Sequence, residues 1–251
     1  RLLPRRVRLT PLLVALCAAW SLPVLVGCIG DVEAGALTLR RAWLGEYWRL
    51  PASLLVHRMP LHLVLNALSL LFVGSYVERA VGARRTLAVL LVAAGSAFAA
   101  SFFFTQPSAV DLPREGISGG VAGLVGAIFA IEWAGAGSLR AFVRRYAVQA
   151  LFVLLAINVL VAIKMPVIGP GVIDNAAHVG GLAGGLLLGL AWFGARGARP
   201  LPATLAALLC LAPLGYAIHP WKNPDFQLVR AERLDALGET AAAAGAYKRV
   251  L

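Results

Sequence analysis

Three sets of polar residues interrupt the apolar stretches of this 251-residue chain. His62 and Asn66 stand four apart in one run, Ser118 lies in Gly116-Ile117-Ser118-Gly119, and His178 lies in Ala177-His178-Val179-Gly180-Gly181. A hydroxyl or an imidazole is costly to bury in hydrocarbon without a partner, so these groups are expected to serve one shared site. A serine becomes a nucleophile when a base takes its proton, and the histidines are the candidate bases. His178 is the expected one, because its segment and that of the serine are both rich in glycine. Gly119, Gly120, Gly123 and Gly126 lie on one, and Gly180, Gly181, Gly184, Gly185 and Gly189 on the other. Such faces let membrane helices approach until a short serine reaches an imidazole on its neighbour.

His62 and Asn66, at i and i+4, project from one helical face. The Ser118 backbone amide, at the start of a helix, is among the donors that lack an intrahelical partner. Together the three can form an oxyanion hole. Each feature also has a plainer explanation: glycines pack helices, a helical serine bonds back to its own backbone, and a His/Asn pair glues a bundle. It is the combination that favours a site of serine-hydrolase chemistry.

Composition supplies the setting. With 60% hydrophobic and 14% charged residues the chain is too apolar to cover a water-facing surface. Seven apolar runs approach the ~20 residues needed to span a bilayer. They lie at Thr10 to Ile29, Leu61 to Val77, Thr86 to Thr105, Ser118 to Trp133, Tyr146 to Ile163, Asn175 to Phe193 and Leu201 to Ile218. They lack the alternation of barrel strands, so the fold class is an all-α polytopic membrane bundle. The first run is read as a span, since no small-residue cleavage site follows it.

Arginine clusters follow spans two, four and six and precede span one, which puts the amino terminus in the cytoplasm and, with seven spans, the carboxyl terminus outside. The net charge of +11 is explained by arginines facing anionic lipid, and no nucleic-acid-binding motif is present. Cys17, Cys28 and Cys210 read as small apolar side chains without a disulfide framework.

Spans two, four and six run in one direction, so His62, Ser118 and His178 fall near helix ends in the same outer leaflet, within reach of water. No His-Glu-x-x-His helix is present, Asp174 reads as a helix cap, and neither metal nor cofactor is expected. A transporter would need a polar path through to the other side, and none continues there.

At this point the chain resembles the rhomboid intramembrane serine proteases. The resemblance rests on Glu46-Tyr47-Trp48-Arg49, His57 with His62 to Asn66, Glu78 before Gly82, Gly116 to Gly119, and Ala177-His178 with Gly181 and Gly185, and it covers about Thr10 to Phe193. It implies a six-helix core with a serine–histidine dyad and no acidic third member. Ser118 is then the nucleophile and His178 the general base and acid, with His62, Asn66 and the Ser118 amide as oxyanion donors. Gly116, Gly119, Gly181, Gly185 and His57 support them, the last near the active-site mouth. Trp48 and Arg49 belong to the first loop and are structural, and Trp20, Trp43, Tyr47 and Trp48 include candidate membrane-interface anchors. Ala122 stands where many relatives carry an aromatic ring against the histidine.

The expected division is a rhomboid-like core at 1–195, a seventh transmembrane helix at 196–219, and an extramembrane helical tail at 220–251. In the tail, Leu234, Leu237-Gly238, Ala244, Tyr247 and Leu251 resemble the start of a tetratricopeptide-like repeat; a single amphipathic helix on the membrane is the alternative. One such unit does not bury its face alone, so trimming at both ends and a protein partner for the tail are expected. The expected function is cleavage of transmembrane or membrane-anchored proteins in a bacterial plasma membrane. A catalytically silent rhomboid-like protein that escorts membrane clients is the alternative, against which both Ser118 and His178 argue.

Overall fold

A computed structural model describes residues 6–105, 109–145, 147–149, 174–193, 200–248 and 250. Among them the chain forms helices α1 (Leu9–Leu25), α2 (Leu39–Trp43), α3 (Arg49–Ser53), α4 (Pro60–Val81), α5 (Ala83–Phe103), α6 (Ser118–Ala136), α7 (Leu139–Val143), α8 (Asn175–Phe193), α9 (Pro200–Ile218), α10 (Pro224–Ala236) and α11 (Thr240–Tyr247). Helices α4, α5, α6 and α8 are long and apolar enough to cross a membrane, and α1 and α9 are shorter apolar helices. The chain is a multi-pass membrane protein. Large apolar side chains point outward where no described helix covers them, Phe72 of α4 being 75% exposed and Leu209 of α9 74%. In water such faces would be unstable; in lipid they are the solvated surface.

Six of the seven expected spans have a helical counterpart, and the fifth, Tyr146 to Ile163, lies largely outside the described residues. Span one ends at Leu25 instead of Ile29. Gly27 adopts a left-handed φ of +75°, and the Cys28 amide turns back to the Pro23 carbonyl at 2.8 Å, which closes the last turn. Span two runs on to Val81 through a π-helical stretch, Leu70–Gly74. Its last turn ends at Gly82, whose φ of +86° suits the residue that has no Cβ. Glu78 in that turn caps α1 from the side: its carboxylate accepts the Arg8, Leu9 and Thr10 amides and the Thr10 hydroxyl at 2.8–2.9 Å. Those amides start a helix and have no intrahelical partner of their own.

Helix α8 packs between α5 and α6, and its glycines divide between the two. Gly181, Gly185 and Gly189 face α6, where a Cβ on Gly181 would fall on the Gly119 carbonyl and one on Gly185 on the Gly123 carbonyl. Gly180 and Gly184 face α5, against Ser96 and its neighbours Ala93 and Ala100. Residues i and i+4 lie one above the other, so two glycine stripes offset by one residue serve two neighbours at once.

The first loop is folded around Arg49, which is 5% exposed. Its guanidinium donates to Glu46 at 2.6 Å and to the Val32 and Ala36 carbonyls, and lies 4.4 Å over the Trp48 ring. Burial would raise the Glu46 carboxyl, but bonds and charge from Arg41 and Arg49 hold it below the usual carboxylate range. The loop is fastened to α1 where the Ser21 hydroxyl donates to the Leu55 carbonyl at 2.9 Å. It is fastened to the segment ahead of α6 by an antiparallel bridge between Leu37 and Arg114.

Of the four residues that include candidate interface anchors, Trp43 is not at the surface. It is buried, with its ring edge-on to Phe226 at 5.9 Å and its indole N–H donating to the Ala217 carbonyl at 3.1 Å. The tail is a hairpin, α10 and α11, turning at Gly238 (φ +77°), not one amphipathic helix. It covers α2 through Phe226 and through the Arg40–Glu232 ion pair at 3.3 Å.

Candidate active site

Ser118 is the first residue of α6 and His178 lies in the first turn of α8, so each stands at the same end of its helix. The glycine contact between α6 and α8 brings them together: His178 Nε2 and Ser118 Oγ are 2.8 Å apart, a hydrogen bond. Both side chains are half-buried. Gly119, next to the serine, packs against Ala97 of α5 and, across the interface, against Gly181.

The approach to Ser118 is shaped by Gly116. Its φ of +95° is strained for any residue with a side chain, and its amide donates to the Ser53 carbonyl at 2.8 Å. A Cβ there would stand 2.7 Å from His62 Cε1 and 3.3 Å from Asn66 Nδ2, so both side chains of α4 overhang the backbone just before the serine. Asn66 is buried, and its Nδ2 has no hydrogen-bond partner among the described residues. A buried donor without a partner is uncommon and marks a place where an acceptor would be stabilised. The described structure thus gathers Ser118, His178, His62, Asn66 and Gly116 around one point.

His57 is fully buried behind this cluster and not at an opening. Its ring meets the His62 ring at a centroid distance of 5.0 Å, and its Nδ1 lies 3.1 Å from Ser21 Oγ. Burial, with the neighbouring His62, pushes its pKa down to about 4. A neutral imidazole behind His62 is therefore a packing partner, not a source of charge.

Four polar residues near the site carry no strong signal of a site in the sequence, Asp174 alone reading as a helix cap. Glu115 is next to Gly116, with its side chain 6% exposed, and accepts the Arg58 amide at 3.0 Å with Arg58 Nε at 3.4 Å. Burial pushes its carboxyl up to about 7, against the opposing bond and charge of Arg58. Asp174 caps α8 as expected, its Oδ1 accepting the Ala177 amide at 2.9 Å. It also bonds Ser101 of α5, which bonds Arg114. For Arg114, Glu115 and Asp174 the weak signal is a position within four residues of Ser118 or His178; Ser101 carries no such signal.

Comparison with known proteins bears on the family. The Rhomboid domain matches residues 44–195, more than half of the chain. The chain is similar to the rhomboid protease GluP of Bacillus subtilis, 32% identical over 190 residues that cover 74% of this chain and 35% of that protein. It is similar to the rhomboid protease AarA of Providencia stuartii, 30% identical over 172 residues, 63% of this chain and 60% of that one. RHOMBOID-like protein 4 of Arabidopsis thaliana is 32% identical over 160 residues, 62% and 36%. The chain thus spans between about a third and three-fifths of the length of these relatives. With the domain match, the helical membrane bundle and the gathered polar residues in hand, we conclude that this chain belongs to the rhomboid family.

Proposed function

We propose that the protein is an intramembrane serine endopeptidase that cleaves transmembrane or membrane-anchored proteins. The observation that carries this reading is the 2.8 Å contact between Ser118 Oγ and His178 Nε2. In the tautomer that leaves Nε2 unprotonated, His178 accepts the hydroxyl proton as Ser118 attacks the substrate carbonyl. The C–O bond forms, the carbonyl pair moves to oxygen, and the oxyanion lies toward the Ser118 amide, His62 and Asn66. The unpartnered Asn66 Nδ2 fits a donor that is satisfied only when that charge develops. The oxyanion pair then re-forms the carbonyl as the scissile C–N bond breaks, and the imidazolium gives its proton to the leaving amine. Water, deprotonated in turn by His178, hydrolyses the acyl-enzyme and returns Ser118 to its hydroxyl form.

In this reading residues 1–195 are the protease core, 196–219 the seventh span and 220–251 an extramembrane tail. The amino terminus is cytoplasmic and the dyad faces the external side of a bacterial plasma membrane. The test is labelling with a fluorophosphonate: Ser118→Ala abolishes it and His178→Ala nearly does. Equal labelling of wild type and Ser118→Ala rejects the nucleophile, and proteolysis of a membrane reporter by both variants rejects the enzyme.

A further inference from the structure

Arg114 stands four residues before Ser118, and Asp174 four before His178. The two meet across Ser101, a buried residue near the end of α5. The Ser101 hydroxyl donates to Asp174 Oδ2 and accepts from Arg114 Nε at 2.6 Å, while Arg114 Nε and Asp174 Oδ2 are 3.7 Å apart. Each partner is also fastened on its own side. Asp174 holds the first turn of α8 by accepting the Ala177 amide on Oδ1 and the His178 amide on its carbonyl at 3.1 Å. Arg114 exchanges backbone hydrogen bonds with Leu37 at 2.7 and 2.9 Å, and its guanidinium donates to the Leu112 carbonyl and to Thr105 Oγ1.

We propose that the Arg114–Ser101–Asp174 bridge is a positioning device for the dyad. It ties the segment that leads through Gly116 to Ser118 to the helical turn that carries His178, and so sets the separation of the reacting oxygen and nitrogen. The inference rests on the serine-protease reading of that pair. The physical argument lies in where the dyad sits. Glycine contacts lock α6 and α8 along their lengths, but Ser118 and His178 occupy the first turns, where amides lack helical partners and ends fray. A clamp at that level must come from outside both helices, and Ser101 on α5 provides it. The Arg114 side chain is 13% exposed and that of Asp174 35%, so the bridge is shielded from water on the Arg114 side, and removing Ser101 or Asp174 leaves a poorly solvated guanidinium. None of the three bonds the dyad side chains in the described structure, which makes them positioning residues and not catalytic ones.

The test uses the full chain in detergent or liposomes, measuring kcat and KM on a transmembrane reporter together with the fluorophosphonate labelling rate. A reacting pair displaced by about an ångström loses on the order of a hundredfold in rate. Ser101→Ala and Asp174→Ala are each expected to lower kcat by roughly ten- to a hundredfold with KM unchanged, since a positioning role acts on the reacting pair and not on substrate binding. Ser101→Thr, which keeps the hydroxyl, restores most of the rate. The double variant loses no more than the worse single one, since the residues act as a unit. Should Asp174→Ala fail to fold, Ser101→Ala and Arg114→Gln carry the same comparison.

Wild-type kcat in the alanine variants overturns the proposal. So do losses that simply add, or a fall in activity matched by a fall in folded protein that Ser101→Thr does not restore. Ser118→Ala separates the two readings. If it still labels, the serine-protease reading fails; if it does not label while the bridge variants label like wild type, the bridge alone fails.

Discussion

The Gly116 backbone lies so close beneath His62 that a single added carbon would stand 2.7 Å from the imidazole Cε1. This contact joins the segment ahead of α6 to the polar face of α4, and it is possible only because residue 116 has no side chain and holds φ at +95°. An alanine there meets both obstacles, the ring and a backbone conformation that costs on the order of 1–2 kcal/mol for a residue with a Cβ.

Gly116→Ala is therefore expected to push His62 and Asn66 off the serine and to reduce fluorophosphonate labelling by about a hundredfold, the effect of losing one oxyanion donor. Protein that stays folded by circular dichroism but labels at the wild-type rate would show that the overhang has no part in the chemistry.

Asn66→Ala tests the unpartnered amide directly. Losing one preorganised donor costs roughly 100- to 1,000-fold in kcat. In the proposed role the bond is made to the developing oxyanion and not to the ground-state substrate, so KM should stay as it is. A rise in KM with kcat unchanged would place Asn66 in substrate binding instead.

Glu115 gives a pH signature. Its carboxyl is raised from 4.5 to about 7 in the folded protein, so between those values the native state binds more protons than the unfolded chain. Stability contributed at this site is present at low pH, falls as pH rises through that window, and levels off above it. The thermal midpoint of wild type measured against Glu115→Gln should follow that course. His57, pushed down to about 4, acts in the opposite sense but is common to both proteins and cancels. Midpoints that keep a constant offset from pH 4.5 to 7 would remove the assignment.

Phe226 is 2% exposed and carries the contact between the tail and α2. Phe226→Ala, a change that costs about 3–5 kcal/mol in a packed core, should release the hairpin. Trypsin would then cut faster at Lys222, in the turn ahead of α10, while Ser118 labelling persists. Unchanged digestion would mean that the Arg40–Glu232 pair and the Arg233 bond to the Leu44 carbonyl hold the tail without the ring.

The positions of the described apolar spans, and the nearness of Ser118 to His178, are legible in the sequence for one reason. In a bilayer the apolar run and the rare polar interruption are both strong local signals, since hydrocarbon tolerates neither bare backbone nor an idle imidazole. The glycine-rich segments told which helices approach. That α8 splits its glycines between α5 and α6 is a fact of three-helix packing that neither sequence segment contains. Trp43 reads as a candidate interface anchor because its partner Phe226 lies at the other end of the chain. Ser101 and Arg114 carry no signal of their own in the sequence, and Asp174 signals only a cap. Each is an ordinary residue alone, and they become a bridge only where α5, the segment before α6 and the start of α8 converge. Residue types and spacing determined what chemistry was available and in which solvent. Tertiary structure decided which groups touch, because hydrogen bonds and ion pairs act over a few ångströms between positions that the chain keeps far apart.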